Sequence, residues 1–181
     1  MDLIVAVDNN WGIGRQENLL FRISEDMKRF RALTIGKTVI LGRKTLQTFP
    51  GGRPLQRRTN IVMTRSDNFE ADPAIICHSL TQLREQLRDL PEDEVFVIGG
   101  ASLYQQLLPF CHQAYITKID HYAAADCFFP NLDHLPEWEF IGCEPGQLEN
   151  GLVIGEEEPT PIRYSFCVYR QNMPRSLFDE T

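Results

Sequence analysis

Glu94-Val95-Phe96-Val97-Ile98-Gly99-Gly100-Ala101-Ser102-Leu103-Tyr104-Gln105-Gln106-Leu107-Leu108 carries the strongest statement about the fold. Four residues that favour a buried strand, Val95-Phe96-Val97-Ile98, run without a break through a glycine pair into a helix-forming segment. Such a junction lets a ligand approach the backbone and aims a helix amino terminus at it, as a diphosphate requires. A Gly-Gly pair serves tight strand-to-helix packing equally well, so both readings stand at this point. Outward from here, Leu3-Ile4-Val5-Ala6-Val7 and Lys37-Thr38-Val39-Ile40-Leu41 repeat the continuous apolar run. That pattern suits strands covered on both faces, the signature of an α/β sheet.

The 181 residues, 43% of them hydrophobic, suffice for one well-buried core, and we expect a single domain over 1–170 with a tail over 171–181. A formal charge of −7 offers no general attraction to nucleic acid or to an anionic membrane. Any anion site must therefore be built from particular cations. Five scattered cysteines without a CxxC spacing favour free buried thiols in a reducing cytoplasm, and no ligand spacing supports a metal. The apolar run at the amino terminus ends at Asp8, too early for a signal peptide or a membrane span.

Within Leu19–Lys37, Ser24 is expected to cap a helix from about Glu25 to Thr34, with Glu25 and Asp26 in its first turn and Gly36 closing it. Met27, Phe30, Leu33 and Thr34 share a stripe, and Asp26 borders it. An acid in that position is either a cap accessory facing water or a functional carboxyl in a cleft.

Residues 8–18 read as a long loop with Gly12 and Gly14 but without the third glycine of a dinucleotide fingerprint, a cover or a plain Ω-loop. Gly42-Arg43-Lys44-Thr45 follows a strand and suits an anion site or a solvated basic turn. Arg57, Arg58 and Arg65 flank the strand Thr59–Thr64. Trp138–Cys143 and Arg163–Arg170 read as an antiparallel pair, with Asn150-Gly151 as a turn dipeptide between them.

Taken in order, LIVAVDNNWGIG, the helix with Asp26 and Phe30, ILGRKT, GGRPLQRRTNIVMT, VFVIGGASLYQQLLP, YITKID and DCFFP resemble the dihydrofolate reductase family over Leu3–Arg170. The resemblance implies an α/β, dihydrofolate-reductase-like fold. Its central eight-stranded sheet would be mixed and mostly parallel, flanked by helices, with an antiparallel C-terminal strand pair. It implies NADPH-dependent reduction of dihydrofolate to tetrahydrofolate in one-carbon, thymidylate and purine metabolism, by a cytoplasmic monomer with no nucleic-acid, membrane or metal partner.

On this resemblance, Asp26 is the catalytic acid that grips the pterin, with Thr117 bonded to it. Ala6, Met27, Phe30, Phe49 and Leu55 would line the substrate pocket, and Arg58 would pair with the glutamate carboxylate. Gly42, Arg43, Lys44, Thr45, Thr64 and Arg65 would serve the NADPH phosphates. Ile98, Gly99, Gly100, Ala101 and Tyr104 would meet the diphosphate and nicotinamide side, with a cis bond in the glycine pair. Ala6, Ile13 and Leu19 would pack around the nicotinamide. One departure is Leu20-Phe21, where many relatives carry Pro-Trp; phenylalanine lacks the N–H that would hold a water. A reductase of the same fold acting on a riboflavin-pathway pyrimidine, or a silent pterin-binding protein, are the competing readings.

Overall fold

The computed structural model describes residues 1–178. In chain order its elements are β1 (Asp2–Val7), β2 (Gly12–Arg15), β3 (Asn18–Leu19), β4 (Phe21–Arg22), α1 (Ser24–Thr34), β5 (Thr38–Gly42), α2 (Arg43–Gln47), β6 (Thr59–Met63) and β7 (Ile75–Cys77). There follow α3 (Leu80–Leu87), β8 (Val95–Gly99), α4 (Ala101–Leu107), β9 (Gln113–Ile119), β10 (Cys127–Phe128), β11 (Trp138–Cys143), β12 (Gln147–Val153) and β13 (Thr160–Gln171).

Side chains alternate across a strand, and β1 shows how a continuous apolar run uses both directions. Leu3, Val5 and Val7 pack into a cluster with Leu83 and Leu87 of α3 and Leu103 and Leu107 of α4. Ile4 faces the other way, into a cluster with Val39, Leu41, Phe96 and Ile98, against which Phe30 and Leu33 of α1 pack. The sheet is thus sandwiched between two helix layers. Its order is β4-β12-β13-β9-β1-β8-β5-β6-β7, with β11 also pairing with β13. Pairings from β9 through β1, β8, β5 and β6 to β7 are parallel; those joining β9, β13, β11, β12 and β4 are antiparallel.

The mixed, mostly parallel α/β sheet and the antiparallel C-terminal pair are therefore present, with ten strands rather than eight. The increase has a local cause. β13 is long enough to pair with both β11 and β12, and β12 continues past it to take up the two-residue β4. Asn150-Gly151 consequently lies inside β12 and makes no turn. Gly151 is needed there for close approach: a Cβ would fall 2.9 Å from Ile162 Cδ1, 3.0 Å from Ile23 Cγ1 and 3.1 Å from the Arg22 carbonyl oxygen.

Two further expectations change. Residues 8–18 are not a plain loop, because β2 pairs with β3 and with β10 in a separate three-stranded antiparallel sheet. Buried Asp8 anchors its base by accepting from the amides of Asn10, Gly12 and Ala123 at 2.8–2.9 Å. The cysteines are not all free, since Cys143 and Cys167 face each other in the β11–β13 register and form a disulfide. Cys127 is exposed, whereas Cys77 and Cys111 are buried thiols. Register, which no spacing rule reveals, makes the pair.

β13 runs one residue past the expected boundary at 170, and Leu177 of the tail packs into the main core. Residues 179–181 of that tail lie outside the described residues. Among the described residues no helix is long and apolar enough to cross a membrane.

Replacing Gly151 by alanine should force β12 away from Ile23 and the Arg22 backbone at a cost of about 1–3 kcal/mol. Thermal unfolding should show a fall of at least about 2 °C; an unchanged midpoint would mean that the close approach carries no weight.

Candidate active site

Parallel strands deliver their carboxyl ends to one side of a sheet, where an open α/β fold builds its ligand crevice. Here β1, β5, β6, β8 and β9 bring Ala6, Gly42, Thr64, Gly99 and Thr117 to or near that side. Ala6 and Thr117 are register partners on adjacent strands.

Asp26 is the third residue of α1, and the Thr117 hydroxyl of β9 donates to its Oδ1 at 2.6 Å. Burial pushes the Asp26 carboxyl above the ordinary carboxylate range. The Thr117 hydroxyl and the Arg29 guanidinium act against that rise, and the charge of Glu149 adds to it. Arg29, one turn along α1, lies with its guanidinium carbon 4.3 Å from the Phe166 ring centroid and 5.9 Å from that of Tyr115. Its Nη1 is buried without a hydrogen-bond partner, and burial lowers the pKa of the group.

Along the same side, Phe30, Phe49 and Leu55 are partly buried and each packs against the cluster beneath α1 and α2. Met27 stands apart, 50% exposed. Arg58 is aimed by two bonds, from Nε to Thr34 Oγ1 at 2.8 Å and from Nη1 to the Gln56 carbonyl at 2.9 Å. Its guanidinium lies 5.7 Å from the Phe30 ring centroid. Burial and the neighbouring Arg31 and Arg57 charges lower its pKa, which marks a place where an anion is welcome.

The glycine junction forms a second locus. The Gly99–Gly100 peptide is cis, and Gly99 has φ +112. A Cβ at Gly99 would lie 3.1 Å from the Tyr104 ring, and one at Gly100 would lie 3.2 Å from Thr45 Oγ1. A Cβ at Gly42 would face the Gly100 nitrogen and the Gly99 oxygen, each at 3.9 Å. Gly42, Thr45, Gly99, Gly100 and the first residue of α4, Ala101, thus converge. Ile98 is buried beneath them. Tyr104 is 4% exposed and its hydroxyl donates to the Ile4 carbonyl oxygen at 2.7 Å, so its polar atom is committed to β1.

Cations ring this locus. Arg43 and Lys44 open α2, while Thr64 and Arg65 leave β6. Thr64 Oγ1 accepts from the Ser66 amide at 3.2 Å. Lys44 pairs with Glu17 at 2.7 Å, which ties the small sheet to α2. Arg43 and Arg65 have no carboxylate within 4.0 Å among the described residues. Ile13 packs against the main core, whereas Leu19 on β3 is 56% exposed and joins no core cluster. Phe21 turns inward and meets His121 edge to face, with centroids 5.7 Å apart.

Sequence reasoning missed one group at this site. Ser24 does not cap α1: the cap position is Ile23, which has no side-chain acceptor, and Ser24 begins the helix. The Glu149 carboxylate of β12 accepts instead from the Ser24 amide at 2.8 Å and the Glu25 amide at 3.3 Å. Nothing local could signal a partner 125 positions away.

The family model described as dihydrofolate reductase matches residues 1–170. A dihydrofolate reductase of Staphylococcus haemolyticus is 34% identical over 171 residues, covering 94% of this chain and 95% of that protein. One from Haemophilus influenzae is 40% identical over 137 residues, covering 76% and 82%. Among solved structures, a dihydrofolate reductase from Enterococcus faecalis complexed with NADP(H) and RAB-propyl matches with a TM-score of 0.77 and 28% identity, covering 94% of this chain and 95% of that one.

A carboxyl whose pKa is raised by folding binds its proton more tightly in the folded chain. The contribution of this one group to stability is therefore full below its ordinary value near ~3.9 and is lost as pH climbs through the raised value. Asp26→Asn, neutral at every pH, should melt about 2–4 °C above the parent at pH 7, with the gap closing toward pH 4. A variant no more stable than the parent at pH 7 would deny that burial opposes the charge.

Proposed function

This chain belongs to the dihydrofolate reductase family, and on that premise we propose that it reduces 7,8-dihydrofolate to tetrahydrofolate with NADPH through the cleft between α1 and the carboxyl ends of the parallel strands. The observation that carries this reading is the Asp26 carboxyl, tied to Thr117 at 2.6 Å beside the Phe30, Phe49 and Leu55 surface. A carboxylate accepting paired hydrogen bonds from the amidine edge of a pterin fixes the plane of the ring. The same acid, held above its ordinary pKa by burial, favours protonation of the ring nitrogen beside the carbon that receives hydride.

NADPH, when bound, supplies the hydride. The residues present suit it. The Gly99-Gly100 turn leaves little room for a Cβ against Tyr104 and Thr45, as a backbone approached by a diphosphate needs, and among the described residues Arg43 and Arg65 have no carboxylate within 4.0 Å. Lys44, Thr45 and the amides opening α2 and α4 would bind the diphosphate. Thr64 with Arg65 would take the 2′-phosphate that separates NADPH from NADH. Ala6, Ile13, Leu19, Ile98 and Tyr104 would shape the nicotinamide end and exclude water.

On the substrate side, Met27, Phe30, Phe49 and Leu55 would bracket the pterin and benzoyl rings. Arg58, already aimed by Thr34 and Gln56, would pair with the glutamate carboxylate. The proposal extends to one folding unit over 1–170, since strands from both ends of that range join one sheet. It also includes a monomer in the cytoplasm that serves one-carbon metabolism.

Two outcomes test these assignments. Asp26→Asn should lower turnover of dihydrofolate by about a hundredfold or more at pH 7, followed as loss of NADPH absorbance near ~340 nm with each component omitted in turn; an unchanged rate removes the acid from the mechanism. Arg58→Leu should raise the KM for dihydrofolate roughly tenfold while leaving that for NADPH unchanged. A rise for NADPH instead would move Arg58 to the other site.

A further inference from the structure

Every helix begins with amide donors that need acceptors, and a polar side chain at the cap position ordinarily supplies one. α1 has isoleucine there, and its acceptor comes from the carboxyl-terminal hairpin: Glu149 takes both the Ser24 and Glu25 amides, immediately before Asp26. We propose that Glu149 is a positioning residue for Asp26, closing the amino end of α1 from the neighbouring sheet so that the acid's carboxyl is held against Thr117.

Resting as it does on the reading of Asp26 as the acid, this inference has its own structural basis. β12 pairs with β13 and β13 with β9, so Glu149 and Thr117 belong to the same run of strands. The first residues of α1 are thereby mounted at two points, Glu149 on the amides and Thr117 on the acid. Gly151 permits the approach, because a Cβ there would collide with Ile23 and the Arg22 carbonyl. A further pairing, Leu152 with Arg22 and Val153 with Phe21, clamps the chain just upstream. Glu149 is itself steadied by the Tyr164 hydroxyl at 3.3 Å, a hydroxyl that also reaches Gln147 at 3.1 Å.

The charges around the two acids set the sign of the effect. Asp26 is faced by Thr117 from β9, Arg29 from its own helix and Glu149 from β12, and it acts in turn on Tyr104 of α4 and Tyr164 of β13. Around Glu149 stand the Ser24 and Glu25 amides, Tyr164 and the Lys28 charge. Burial alone would raise the Glu149 carboxyl, but its hydrogen bonds bring it below the ordinary range, so it is ionised at neutral pH. Tyr164, through burial and then the Glu149 charge, is pushed up to about 12 and stays a donor. Removing the Glu149 charge takes a negative neighbour from Asp26 and re-exposes the positive helix end. Both changes favour the Asp26 anion.

The test is a carbon-13 carboxyl titration of Asp26 in the ligand-free protein, with Glu149→Gln and Glu149→Ala beside the parent. It is paired with the pH profile of NADPH-dependent dihydrofolate turnover. The expected result is a titration midpoint lower by about 0.2–0.7 of a pH unit in Glu149→Gln, the size of a helix-end charge effect. The pH above which turnover declines should fall by the same amount. Glu149→Gln keeps an acceptor oxygen and the side-chain length, so it carries the test even if Glu149→Ala does not fold. A midpoint that stays put, whether or not the variant melts earlier, overturns the proposal and leaves Glu149 a structural cap. A midpoint that moves while Asp26→Asn retains full turnover would sink the catalytic reading of Asp26 instead.

Discussion

Everything at the cleft depends on a partly buried acid being held in place by the strand beside it. A hydroxyl bond from Thr117 and a guanidinium one turn away favour the Asp26 anion in a place where burial alone would oppose it. A carboxyl on a mobile segment would turn to solvent and return to its ordinary pKa. Here the helix that bears it packs on the sheet through Phe30 and Leu33, and the Thr117 bond ties the acid itself to β9. Burial that opposes the Asp26 charge keeps its proton available at a higher pH than an ordinary carboxyl would, which is the property the proposed role requires.

Topology explains why the remaining parts lie close by. Because the strands from β9 to β7 are parallel, their carboxyl ends share one side. The Gly99-Gly100 turn, the start of α2 and the exit of β6 therefore meet without any of them being close in sequence. The antiparallel strands have a different part: they close the sheet beyond β9 and bring β12 over the amino end of α1. The hairpin late in the chain thus supports the helix near its beginning.

Much of this frame was legible because burial on both faces leaves continuous apolar runs, and LIVAV, TVIL and VFVI are such runs. Asp26 stood out as an acid beside a hydrophobic stripe, and the glycine pair as a junction with little room for side chains. What escaped notice depends on register or on distant partners. Gly151 looked like a turn residue because Asn-Gly usually is one, yet its role is to admit Ile23. Cys143 and Cys167 meet only through the β11–β13 register. β3 and β10 are two residues each and β2 is half glycine, so none shows alternation and the small sheet read as a loop. Met27 and Leu19, apolar by type, lie largely in solvent, which a helical stripe or a family pattern does not disclose.

The most direct measurement of the central claim is a crystal structure of the chain with folate and oxidised cofactor bound together. The expected result is an Asp26 carboxylate within about 2.7–2.9 Å of the pterin amine and the adjoining ring nitrogen, with Thr117 still bonded to it and the nicotinamide against the opposite ring face. A pterin bound elsewhere, or an Asp26 side chain turned to bulk solvent in that complex, would contradict it.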